Sequence, residues 1–243
     1  MALQIGLHLV VLVAAFLQAV TGIGFALIAG PVILLAMNDG SAFQVTAVLS
    51  FLIAVVLAPR IWRFAHKDAF KALSVGAALG LIPGILLYAA VGTNILKIGA
   101  GFVLTALCVQ FLFGAKAQGQ KRPVNWDIGF ISGCLGGALA MPGPTAAIGL
   151  ARAGADKTVS RATILAFFVL AYPFIFLGQS LAAGLTQDTV MAAALFVPAT
   201  LAGTLAGRWA EPHVNETHYR RAVLFFLVVI ACSLLFTGFR EVF

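Results

Sequence analysis

The sequence predicts an all-α integral membrane protein of two inverted-topology repeats. Each repeat is a helical hairpin with a broken, short arm, followed by three transmembrane helices. Three observations lead there. Of 243 residues, 62% are hydrophobic and only 9% charged, with mean hydropathy +1.06, whereas a soluble domain carries about 25% charged residues. Two Gly/Pro-rich stretches, Thr21–Pro31 and Gly136–Thr145, interrupt apolar segments at matching places in the two halves. The basic residues also collect in alternate loops.

Taken in order, Leu3–Val20 reads as the first helix. Three glycines and a proline between Thr21 and Pro31 then make a poor helix interior. Val32–Met37 is the short arm, ending at Asn38-Asp39-Gly40. It is too short to cross, since a span needs roughly 20 residues. Ser41–Pro59 is the next span, and the basic loop Arg60–Asp68 with its interfacial Trp62 follows. Phe70–Val91 and Ile95–Phe113 are spans joined by the turn Gly92-Thr93-Asn94. Gly76, Gly80 and Gly84, four apart, suit close approach of a neighbouring helix. The polar connector 115–125 divides the chain into a first repeat, 1–114, and a second, 126–243, within one membrane domain.

In the second half, Trp126–Leu139 is a helix, Ala140–Gly143 the break and Pro144–Ala153 the short arm. A basic loop, Arg152–Arg161, leads to spans at Ala162–Leu181, Thr189–Ala206 and Ala222–Gly238, with kinks expected at Pro173 and Pro198. Internal similarity accompanies this order. Phe16, Ala19 and Gly22 match Phe130, Gly133 and Gly136; Gly30-Pro31 matches Gly143-Pro144; Thr46 matches Thr163; Gly80 and Gly84 match Gly203 and Gly207.

Charge sets the orientation. If each hairpin returns to its own side, all basic residues except Lys97 and Arg240 face one way, which is 13 of the 15. The positive-inside rule makes that side, including the connector, cytoplasmic. Both termini then face outward and the second half is inverted. The net charge of +7 is accordingly assigned to topology and not to nucleic acid. No Lys or Arg precedes Arg60, so the basic start of a cleaved signal peptide is missing. Cys108, Cys134 and Cys232 sit singly in apolar runs, so neither a metal site nor a disulfide framework is expected, and no cofactor is.

Bilayers admit broken backbone only where protein buries it or where it lines a polar cavity. Paired breaks in two halves point to a transporter site. Pro is pre-organised for the first turn of a helix, so Gly30-Pro31 and Gly143-Pro144 are read as short-arm starts. The N–H groups of Val32, Ile33, Thr145 and Ala146 would then point into the breaks, where helix N-termini attract anions. The substrate-binding candidates are Gln18, Thr21, Gly22, Gly24, Phe25, Gly30, Gln44, Met141, Gly143, Thr145, Arg161 and Thr163. For the glycines and prolines the alternative is tight packing alone. For Gln18, Gln44 and Thr163 it is helix–helix hydrogen bonding, and for Arg161 a topology charge. All eight acidic residues lie at span ends or in loops. Cation and proton carriers usually bury a carboxylate in the pathway, so an anion is the expected cargo.

The break ending in Pro31, the second break at Gly143-Pro144, the Arg161-Ala162-Thr163 stretch and the two four-segment halves resemble the TauE/SafE family of sulfite-exporter-like permeases. The resemblance implies transport of sulfite or an organosulfonate such as sulfoacetate across a bacterial inner membrane. The chain departs from it in having one Gly-x-Gly at Gly22–Gly24 and Met141-Pro142 before the second Gly-Pro. A secondary permease is the reading adopted, with a passive anion channel or a small-carboxylate permease as alternatives. An enzyme is not expected: no HExxH occurs, and there is no Ser/His/Asp group or buried carboxylate pair at membrane depth. The expected partners are the small anion and the lipid bilayer; a homodimer is left open.

Overall fold

The computed structural model describes residues 2–113, 123–211 and 216–242, and the side chains of 4–110, 123–211 and 227–241. Ten α-helices occur among them and no strand: α1 (Ala2–Thr21), α2 (Phe25–Met37), α3 (Ser41–Ile61), α4 (Lys67–Ala90), α5 (Thr93–Phe113), α6 (Trp126–Leu139), α7 (Gly143–Arg152), α8 (Lys157–Ala183), α9 (Gln187–Ala210) and α10 (Glu216–Val242). Of these, α1, α3, α4, α5, α8 and α9 are long and apolar enough to cross a membrane. At 1.5 Å per residue, the 13 residues of α2 extend about 20 Å, short of the roughly 30 Å hydrocarbon core. Most of the expected connector at 115–125 lies outside the described residues.

Helix starts follow local chemistry. The His66 ring accepts from Ala69 N–H to begin α4, Asp156 accepts from Val159 N–H to begin α8, and Thr186 caps α9 through Thr189 N–H. Each acceptor satisfies a first-turn donor that the helix cannot. At the other end of α2, Asn38 takes the left-handed conformation and its N–H closes on Leu34 O, as a helix C-terminus requires. Helices α8 and α9 run on past Pro173 and Pro198.

Several boundaries correct the sequence reading. The first break is only Gly22–Gly24, and α2 begins at Phe25. Pro31 is the seventh residue of α2, so Val32 and Ile33 N–H groups lie in a helix interior and not at a free end. Gly30-Pro31 therefore does not correspond to Gly143-Pro144, which does open α7. The reason for Gly30 is lateral: a Cβ there would stand 3.2 Å from Thr46 Cγ2 of α3. Arg161 does not open its span, because the helix already starts at Lys157.

Where lipid replaces water, small residues that let backbones meet drive packing. Gly76, Gly80 and Gly84 of α4 lie on α6: a Cβ at each would meet the carbonyl oxygens of Trp126, Phe130 and Cys134 at 2.0, 1.9 and 2.4 Å. From α6, Gly129, Gly133 and Gly137 answer with close approaches to α4 backbone, each inside 3 Å of a Cβ position. The order of contacts makes α4 and α6 parallel. Helices α1 and α9 are parallel too, with Gly203 and Gly207 against the Leu12 and Phe16 carbonyls. Helix α5 runs antiparallel to α10, since Gly101 meets Leu235 and Gly238 meets Ile98. Helix α3 runs antiparallel to α8: Gln44 near its start bonds to Gln179 and Gly184 at the far end of α8, and His66 N–H donates to Thr163 Oγ1 near its beginning.

The end of the bundle where α3 and α9 finish and α8 starts holds Arg60, Arg161 and Arg208. Trp62 and Trp209 are exposed at these helix ends, and Trp126 is exposed at the start of α6, as for rings that sit at a membrane interface. At the opposite end Lys97, 1% exposed, pairs with Glu241 and donates to Asn38, tying α5, α10 and the end of α2 together. Leu86, Phe236 and Val75 are exposed along the flanks and give an apolar surface toward lipid.

Candidate anion site

The first break closes on itself. Gly22 and Gly24 take φ of 86° and 136°, conformations that L residues with a side chain rarely adopt. Thr21 Oγ1 donates to Leu17 O and to Ile23 O, which uses the hydroxyl within the turn. Gln18, in the last turn of α1, bends across the break, and its Oε1 accepts from Phe25 N–H at 3.1 Å. Leu27 and Ile28 N–H groups bond to Gly24 O. The start of α2 is thus largely satisfied by its own chain. Phe25 itself is fully buried in the core.

The second break is open by comparison. Ala140 takes the left-handed conformation and closes α6 through its N–H to Gly136 O. Ser132 donates to Pro142 O and so holds the turn from below. Helix α7 then begins at Gly143 with Pro144 in its first turn and no side-chain cap. Thr145 Oγ1 is buried and, among the described residues, has no hydrogen-bond partner. Met141, four residues earlier, is fully buried. The two breaks meet: a Cβ on Gly143 would stand 3.3 Å from Ile23 Cγ2 and 2.8 Å from Phe168 Cζ.

Arg161 joins the first break to the basic end. Gly22 packs on it so tightly that a Cβ would lie 2.8 Å from Arg161 Cγ. The guanidinium donates to Ala19 O, at the carbonyl end of α1, and pairs with Glu211 just after α9. Arg161 is 7% exposed, and its Nε has no partner among the described residues. Below it opens a cavity of about 490 Å³ whose polar lining is Arg60, Arg161, Arg208 and Glu211.

Among the described residues, three buried donors on the segments flanking the breaks have no partner: Gln18 Nε2, Thr145 Oγ1 and Arg161 Nε. The Gln18 amide orientation is fixed by its bond to Phe25 N–H, so the spare atom is the NH2 and not the carbonyl. Buried polar atoms are normally paired, and an unmet one in a membrane interior is costly. A group of spare donors is what an oxyanion would satisfy.

The remaining candidates fall elsewhere. Gln44 donates to Gly184 O, Gln179 O and Tyr88 Oη, at the end of the bundle opposite Arg161. Gln179, whose carbonyl Gln44 meets, donates from its side chain to Gly137 O near the end of α6. Thr163 is fully buried, donates to Val159 O and accepts from His66 N–H, so its role is to fix the start of α4 against α8. Gly30 seats α2 on α3. Sequence reasoning missed Arg60, Arg208 and Glu211 as a group, because their convergence depends on α3, α8 and α9 ending together. It also missed Gln179, for which no local signal exists. No group of three or more His, Cys, Asp or Glu side chains suited to a metal occurs among the described residues.

A family model, Sulfite exporter TauE/SafE, matches residues 7–234 of the chain. No curated protein and no solved structure matches it.

Proposed function

The chain belongs to the TauE/SafE sulfite exporter family, and on that premise we propose that it is a secondary permease for a small anion, sulfite or an organosulfonate such as sulfoacetate. The substrate sits between the two breaks near the bilayer midplane. The observation that carries this reading is the set of spare buried donors, Gln18 Nε2, Thr145 Oγ1 and Arg161 Nε, on the residues flanking the breaks. A sulfite or sulfonate group spreads its charge over several oxygens and can accept from several such donors at once. Hydrogen bonds to a charged acceptor are worth about 1.5–3 kcal/mol each, net of the bonds to water they replace, so a few of them give measurable affinity.

Alternating access is supported by reciprocal packing. In our reading residues 1–114 and 126–243 are inverted repeats, which pairs α1 with α6, α3 with α8 and α4 with α9. Helix α1 packs on α9 as α6 packs on α4, through glycine-to-carbonyl contacts in both cases. Thr46 and Thr163 each donate to the carbonyl four residues earlier, near the starts of α3 and α8. Such repeats let one half rock against the other around a fixed site. The protein is a multi-pass membrane protein; we place it in the bacterial inner membrane with the arginine-rich end cytoplasmic.

Purified protein screened by thermal shift against sulfite, sulfate, thiosulfate, sulfoacetate, taurine and lactate tests the substrate class. Stabilisation by sulfite or sulfoacetate and not by lactate is expected. In proteoliposomes, counterflow of the stabilising anion marks a carrier. Flux without trans-stimulation contradicts the alternating-access part.

A further inference from the structure

We propose that the cavity at the basic end is a second anion site, specific for dianions, in which the Glu211 carboxylate occupies the place of the substrate on Arg161. The cavity is lined by Arg60, Arg161, Arg208 and Glu211, with Trp209 in its wall. Three guanidinium groups against one carboxylate leave a formal charge of +2 around about 490 Å³ of space. Among the described residues, only Arg161 of the three has its charge neutralised, by the ion pair to Glu211. That pair is lopsided: the Arg161 side chain is 8% exposed, whereas that of Glu211 is 34% exposed. Glu211 therefore approaches from the open side and can leave into water, while Arg161 stays, held by Ala19 O.

A carboxylate on a guanidinium uses the same planar fork that a sulfonate or sulfite would use. A dianion such as sulfite or sulfoacetate that displaces Glu211 keeps Arg161 paired and also neutralises charge on Arg60 and Arg208. A monoanion meets only part of that charge. Displacement cuts the tie between α8 and the end of α9, the helix that packs along α1. Arrival of the anion at this end is thereby coupled to release of the end of α9 from α8, while Arg161 keeps its bond to Ala19 O of α1. This site lies beyond the one between the breaks and shares Arg161 with it, and the choice of sulfur anions as cargo rests on the function proposed above.

Trp209 provides the readout. With Trp62→Phe and Trp126→Phe in the full-length protein, Trp209 is the sole tryptophan. Sulfoacetate is expected to change its emission saturably, with affinity at least about tenfold above that for methanesulfonate, the scale of one charge-assisted hydrogen bond. Glu211→Gln, which removes the internal competitor, is expected to tighten sulfoacetate binding about tenfold. Arg208→Gln is expected to weaken it about tenfold. Equal affinity for the two anions, or unchanged or weaker binding in a folded Glu211→Gln protein, overturns the proposal. Should Glu211→Gln fail to fold, Arg208→Gln decides: a tenfold loss supports the site and unchanged binding overturns it. The emission of Trp209 reports this cavity alone, whereas the site between the breaks is judged by substrate binding and flux in Thr145 variants, so either can fail without the other.

Discussion

Ile23, at the tip of the first hairpin, touches Gly143, the first residue of α7, so closely that a Cβ there would lie 3.3 Å from Ile23 Cγ2. The two breaks are therefore in contact, although 120 residues separate them.

That contact leaves no room for a side chain at residue 143. Gly143→Ala would set a Cβ 2.8 Å from the buried Phe168 ring. Overpacking of this kind costs about 1–3 kcal/mol, and a lowered thermal midpoint is expected. Adding Phe168→Leu should recover most of the loss. Failure of that second change to recover stability contradicts the steric account.

Gln18 is expected to act on stability as well as on binding, because its Oε1 holds Phe25 N–H. Gln18→Leu removes the acceptor at the start of α2, and loss of a cap costs about 0.5–2 kcal/mol. Thermal unfolding of the purified variant without substrate measures this. An unchanged midpoint would show that Gln18 serves binding only.

Stability of the bundle is expected to depend on the α4–α6 backbone contact. A Cβ at Gly80 would stand 1.9 Å from Phe130 O, and neither backbone can yield without separating the helices. Gly80→Ala should lower the yield of monodisperse protein and its thermal midpoint. Gly99→Ala is the control, since nothing lies within 4 Å of its Cβ position. Equal behaviour of the two variants would contradict the packing.

Labelling tests the proposed orientation, in which the basic end is cytoplasmic. In a background with the three cysteines changed to serine, single cysteines at the exposed positions Lys67 and Asp188 should label from opposite sides of the membrane. Labelling of both from one side contradicts the orientation.

Much of the architecture was legible in the sequence because lipid imposes simple rules. Span length, the position of the second break near 140–143, and the glycine stripe at Gly76, Gly80 and Gly84 all follow from hydropathy and residue size. Pro31 misled because proline is permitted both at a helix start and inside a membrane helix, where neighbours support the backbone. What placed the first break correctly was the positive φ of Gly22 and Gly24, and glycine alone does not announce which of its conformations is used. Within the site, Thr145 was readable from its place after Gly143-Pro144. The capping of α2 by Gln18 was not, since it spans seven residues across a turn of unknown shape. The arginine cavity was illegible for a different reason: each of Arg60, Arg161 and Arg208 looks locally like a charge that sets topology.

The central claim, an anion held by spare donors at the second break, is tested most directly at Thr145. Its Oγ1 is buried without a partner among the described residues, so Thr145→Val removes a donor while keeping the shape of the side chain. Calorimetric titration of sulfite or sulfoacetate into the parent and the variant should show affinity lower by roughly 10- to 150-fold in the variant, the range for one hydrogen bond to a charged group, with its unfolding temperature in the absence of substrate unchanged. Equal affinity in the two proteins would contradict the account and place the substrate away from the breaks.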